Sequence, residues 1–213
     1  MSLRYNGALI EEGEYFYGKF KKGKTYLNNK LEFEGEFLFG KKWDGKGFDD
    51  TGKIIYELNN GKGTVKEYNC DDILIFEGEY LHSERNGKGR EYNDIGQLIF
   101  EGEFSSDKEF NGIKKLEFDN KKYEIEIKSG KYWNGKVYDF NNEIFLELKD
   151  GNGIFQEYYD DGILAFEGNY LNGEKTVMEL FLIMKAIKYL KGYIKMFKKW
   201  IRKRIYSWWI SKF

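Results

Sequence analysis

The chain has 213 residues, no proline, 25 glycines and one cysteine, with 19% aromatic and 33% charged residues. This composition excludes an internal disulfide framework, and it suits strands and glycine turns better than a Leu/Ala-rich helical bundle. The net charge of −1 hides a division: residues 176–213 carry ten Lys/Arg against Glu179, which leaves 1–175 at −10 and argues against a nucleic-acid partner for that acidic part.

The amino-terminal stretch has no apolar core long enough for a signal peptide, and the single cysteine is compatible with a reducing compartment, so a cytoplasmic protein is expected. From there the element Glu-Gly-Glu-aromatic recurs, as Glu12-Gly13-Glu14-Tyr15, Glu34-Gly35-Glu36-Phe37, Glu77-Gly78-Glu79-Tyr80 and Glu101-Gly102-Glu103-Phe104. It returns as Glu167-Gly168-Asn169-Tyr170, with degenerate copies around Tyr56, Tyr123 and Leu146. The period is about 22 residues and the array, 1–175, holds about eight units. A longer period lies on top: Trp43-Asp44-Gly45-Lys46 matches Trp133-Asn134-Gly135-Lys136, and Phe76-Glu77-Gly78 matches Phe166-Glu167-Gly168, each 90 residues on. A block of four units has been duplicated. The second copy is worn, with Ile125 opposite Gly35 and Val137 opposite Gly47.

Within a unit, Phe76, Gly78 and Tyr80 alternate with Glu77 and Glu79, which predicts a strand with an aromatic face and a carboxylate face. Asn86-Gly87 is read as the tight hairpin turn that follows. The register of each second strand stays open: Gly87 and Gly89 share a face with Glu91, or a bulge brings Tyr92 inward.

These residues resemble the MORN family, whose unit runs aromatic-Glu-Gly, an Asn-Gly turn, Gly-x-Gly and an aromatic. Phe76-Glu77-Gly78-Glu79-Tyr80, Asn86-Gly87-Lys88-Gly89 and Tyr92 follow that order, and the resemblance covers roughly residues 5–175. It implies an all-β repeat, an elongated single-layer antiparallel meander with one hairpin per unit. The chain departs from the family where Lys, Arg or no equivalent stands in place of a His before the turn glycine.

No motif points to catalysis, a cofactor or a metal. His82 is the only histidine and Cys70 sits beside Asp71 and Asp72, which would raise rather than lower a thiol pKa. The Glu pairs come from the repeat itself and read as a solvated strand face, which could present a negative stripe to a basic partner. The Gly-Lys-Gly copies at 45–47, 61–63 and 87–89 do not fit a phosphate loop. Trp43 and Trp133, holding the same place in each block, are the candidate contact residues for a protein partner.

Residues 176–213 lose the glycine grammar. Lys185, Lys188, Lys191, Lys195, Lys198 and Arg202 advance by three or four, and Trp200, Trp208 and Trp209 add interfacial aromatics. The pattern predicts a basic amphipathic α-helix suited to an anionic membrane surface, or to capping the array's edge. A third reading is favoured: with codons read one base earlier, 175–194 can encode N-G-N-G-I-I-F-N-Y-E-G-N-K-I-F-E-G-I-Y, in phase with 86–104, so the tail is a frameshifted repeat. The expected function is a non-catalytic protein-interaction scaffold, with peripheral membrane tethering through the tail as the alternative.

Overall fold

A computed structural model describes residues 2–5, 7–118, 120–158 and 164–176. The basic tail, with its predicted helix and candidate membrane residues, lies outside the described residues. Within them the chain is an all-β antiparallel meander of two sheets, in each of which the strands pair with their neighbours in sequence.

The first sheet runs β1 (Ser2–Tyr5), β2 (Ala8–Phe16), β3 (Lys19–Leu27), β4 (Lys30–Leu38), β5 (Lys41–Phe48) and β6 (Ile54–Leu58). The second has eleven strands. It begins with β7 (Gly63–Tyr68), β8 (Leu74–Leu81), β9 (Glu84–Tyr92), β10 (Leu98–Ser105), β11 (Lys108–Phe118) and β12 (Lys121–Lys128). It ends with β13 (Lys131–Tyr138), β14 (Ile144–Lys149), β15 (Asn152–Tyr158), β16 (Leu164–Leu171) and β17 (Glu174–Lys175).

Two kinds of connection alternate. On one edge stand two-residue turns at Tyr17-Gly18, Phe39-Gly40, Asn60-Gly61, His82-Ser83, Ser106-Asp107, Ser129-Gly130, Asp150-Gly151 and Asn172-Gly173. Both residues of each turn have positive φ, as the right-handed twist of a hairpin requires. On the opposite edge Asn28-Asn29 is a further two-residue turn at positive φ, and five-residue loops open with Asp49, Asn69, Asn93 or Asp139. In each, the opening side-chain oxygen accepts the N–H groups two and four residues on, so the loop closes on itself.

The turn read at Asn86-Gly87 is therefore corrected. That dipeptide lies inside β9, and the chain reverses at His82-Ser83. Gly87 still needs its φ of 96°, because it sits in a bulge between Gly78 and Tyr80 on the partner strand. Of the two registers left open, the first holds for Gly89 and Glu91, which pair with Gly78 and Phe76, while the Tyr92 hydroxyl donates to Glu77 on the other face; Gly87 departs from it, since a Cβ there would meet the Glu79 side chain.

One face carries the core, where Phe33, Phe76, Phe100, Phe104, Tyr123, Val137, Leu148 and Phe155 are buried. Glycines make room for it. Gly13, Gly23, Gly35 and Gly45 pair in one row across β2 to β5, and Gly78, Gly89, Gly102 and Gly112 in another across β8 to β11. A Cβ on Gly35 would run onto the Asp44 carbonyl oxygen and come within 2.7 Å of the Gly45 Cα. Aromatic rings lie over these rows, with the Phe76 ring against Gly78 and Gly89 and the Phe100 ring against Gly102 and Gly112.

Where bulk stands in the row on both adjoining strands, the strands part. Leu58 and Val65 occupy the glycine positions of β6 and β7, which pair only through the Asn59–Lys62 bridge beside the turn. Leu148 and Phe155 do the same in β14 and β15, whose pairing is limited to Leu148–Gly153 and Lys149–Asn152. All four side chains are buried, so each opened hairpin is filled from within. The expected continuous ribbon is divided into two sheets at the first of these openings.

Candidate interaction surfaces

Trp43 and Trp133 are bulge residues. In the pairing of β4 with β5, Glu36 faces Asp44 and Phe37 faces Lys42, so Trp43 is the extra residue; Trp133 is the extra residue in the pairing of β12 with β13. A bulge frees the local carbonyl from the strand ladder. The Trp43 carbonyl accepts the Gly61 N–H at 2.8 Å, and the Trp133 carbonyl accepts the Gly151 N–H at 2.6 Å. The next residue completes the clamp: the Asp44 carboxylate accepts the Asn60 N–H at 2.7 Å, and the Asn134 side chain accepts the Asp150 N–H at 2.9 Å. Phe110 and Asn111 repeat the arrangement on Gly130 and Ser129. The aromatic-Asn/Asp-Gly signature thus locks one hairpin to the turn of the next, which explains its period.

Both indoles are half-buried. The Trp43 ring packs against Gly61 and the Trp133 ring against Gly151, with the Lys128 ammonium 4.9 Å from the Trp133 ring centroid. Lys185, Lys188, Lys191, Lys195, Lys198, Trp200, Arg202, Trp208 and Trp209 lie outside the described residues.

The carboxylates of the Glu-Gly-Glu elements line the face opposite the core, but the face is not a uniform negative stripe. Cross-strand register sets Glu12, Lys24, Glu34, Lys46 and Glu57 side by side, and likewise Lys66, Glu77, Arg90 and Glu101. The rows close at distances from 2.8 Å for Arg90–Glu101 to 3.8 Å for Lys24–Glu34. Glu77 also accepts from the Tyr92 hydroxyl at 2.9 Å, and this bond, with Lys66 and Arg90 nearby, holds its carboxyl below the usual range. The two rows sum to −1 and 0, so they are recognisable by pattern rather than by sign.

A second set of charges, which sequence reasoning missed, lies on the core side. Arg85 spans Glu67 and Glu91, at 2.7 and 2.8 Å, with its guanidinium carbon 4.2 Å from the Phe76 ring centroid. Lys42 repeats this with Glu32 over Phe33, and Lys175 with Glu157 over Phe166. Burial works against the Arg85 charge, but Glu67 and Glu91 outweigh it and its pKa is raised. The signal was in the sequence: each cation stands two residues after a turn and nine after the Phe of its Phe-Glu-Gly.

His82 occupies a turn and is exposed, and Cys70 is exposed in the 69–73 loop. Among the described residues no cluster of three His, Cys, Asp or Glu is placed to hold a metal ion. No protein-family model matches the chain, and no curated protein sequence matches it.

Proposed function

We propose that the chain is a non-catalytic protein-interaction scaffold, an elongated single-layer array of MORN-like repeats. The observation that carries this reading is the face opposite the core. Rows of alternating charge run in register across successive strands, from Glu12 to Glu57 in one sheet and from Lys66 to Glu101 in the other. A repeated, half-neutralised surface of this kind suits recognition along its length better than chemistry at one point. The resemblance carried by the Phe-Glu-Gly and Asn-Gly elements supports the same class, with an unidentified protein as partner and a cytoplasmic setting.

The test is affinity capture from the native extract with wild-type protein and with Glu34→Lys/Glu101→Lys, which breaks both rows without touching the core. Partners retained by the wild type and lost from the variant support the scaffold reading. An identical set on both, or nothing beyond a charge-matched control, overturns it. Tethering through the tail is separated by vesicle co-sedimentation of the full chain against one ending at Lys175.

A further inference from the structure

Three hairpins closed by two-residue turns pair from the turn as far as the Phe of Phe-Glu-Gly or its equivalent: β4/β5 to Phe33, β8/β9 to Phe76 and β10/β11 to Phe100. Beyond that point β5 and β9 continue for one residue, Phe48 and Tyr92. β11 continues for four, Lys115 to Phe118. Each of these pairs with β12 on one side and, among the described residues, with no strand on the other. Alternate residues of a strand address opposite neighbours, so half of the N–H and C=O groups of this stretch face the unpaired side.

The neighbouring elements are drawn apart at this place. The 93–97 loop leans onto the preceding one, where the Asn69 side-chain amide donates to the Asp94 carbonyl at 3.4 Å and Gly96 lies against Ile73. Phe118 turns the other way and stacks on Tyr158, with ring centroids 5.6 Å apart. Between them lies a cavity of about 790 Å³, lined in part by Leu98, Ile99, Lys115, Leu116, Glu117 and Phe118. Its β11 wall alternates. Lys115 and Glu117 are exposed on the carboxylate face, and Leu116 and Phe118 are half-buried on the core side. The charge rows elsewhere close into ion pairs, but among the described residues none of Lys115, Glu117 and Lys122 is in one.

We propose that this slot binds an extended peptide of a partner protein, added as a strand to the free edge of β11. A row of backbone donors and acceptors at strand spacing, with side chains that change character at every residue, matches an extended peptide rather than a small polar ligand. The chain itself shows the order that fits. β12 sets Lys122 opposite Glu117, Tyr123 opposite Leu116 and Glu124 opposite Lys115. A peptide lying antiparallel on the other edge meets the same three residues, so it is basic, aromatic or aliphatic, and acidic in that order from its amino end. The site goes beyond the scaffold reading and does not include the charge rows on which that reading rests.

The probe is a fluorescein-labelled peptide copying Lys121–Lys128, titrated with the full chain. Saturable binding is expected in fluorescence anisotropy. Methylating the amide nitrogens of alternate residues should abolish binding in one phase and leave it within ~3-fold in the other, because an added strand offers only one of its edges. With the peptide at saturation, amide hydrogen exchange should slow at least ~10-fold within 115–118 while β2 to β5 are unchanged. Failure to saturate at millimolar protein overturns the proposal, as does tolerance of both methylation phases or of neither. Binding whose protection falls on the Lys66, Glu77, Arg90 and Glu101 row instead of 115–118 also overturns it, and leaves the scaffold reading standing.

Discussion

Arg85 shows how a charge is kept inside an aromatic face. Its fork takes Glu67 through two nitrogens, at 2.7 and 3.0 Å, and Glu91 through a third, while the plane of the group covers Phe76. Arg85→Met would leave two carboxylates facing each other in a half-buried site, so a loss of about 2–4 kcal/mol is expected in urea unfolding, with Arg85→Lys intermediate because an ammonium cannot fork. On the opposite face, Glu77 is held below the ordinary carboxylate value of 4.5, first by the Tyr92 hydroxyl and then by Lys66 and Arg90. A carboxyl whose pKa is lowered on folding stabilises the fold above its unfolded pKa and loses that contribution as pH falls through the folded value. Tyr92→Phe should therefore be less stable than wild type near neutrality, and the difference should shrink as pH falls below 4.5, as read from thermal melts across pH.

At the scale of the element, the glycine rows explain both the pinched hairpins and the worn copy of the repeat. Gly35→Ala would drive a methyl into the Asp44 carbonyl and the Gly45 Cα, backbone that cannot move without parting β4 from β5. A loss of about 3 kcal/mol is expected in chemical denaturation, at the upper end of what overpacking costs. Yet Ile125 stands 90 residues on, in the core, facing Gly135 as Gly35 faces Gly45 and Lys114 in place of Gly23. Val137 replaces Gly47 with a compensating change across the strand pair. Gly47 faces the Tyr56 ring, which a Cβ would strike, whereas Val137 faces the smaller Leu146. The volume is conserved across the strand pair even where the glycine is not.

For the whole molecule, stability should be uneven along the meander, since each hairpin is supported mainly by its neighbours. β6/β7 and β14/β15 retain pairing only beside their turns. Amide hydrogen exchange is expected to be slowest in β8 to β12, where every strand is paired along most of its length, and to quicken at the two openings. Uniform protection from β2 to β16 would contradict the reading that bulky residues wedge these hairpins apart.

The alternation of Phe76, Gly78 and Tyr80 with glutamates was sufficient to assign strands, an aromatic face and an antiparallel repeat, because side-chain direction in a strand depends only on parity. The 90-residue duplication was equally legible, and it places the two openings one block apart. The turns were not. Asn86-Gly87 has the local chemistry of a hairpin, but so does a bulge, and only pairing with β8 decides which is realised. The same holds for Trp43 and Trp133, whose carbonyls are turned out by a bulge and met by the next hairpin's turn. Local composition determines which residues can accept a conformation, whereas the partner strand determines which of them must, since the hydrogen bonds that select it come from about 20 residues away.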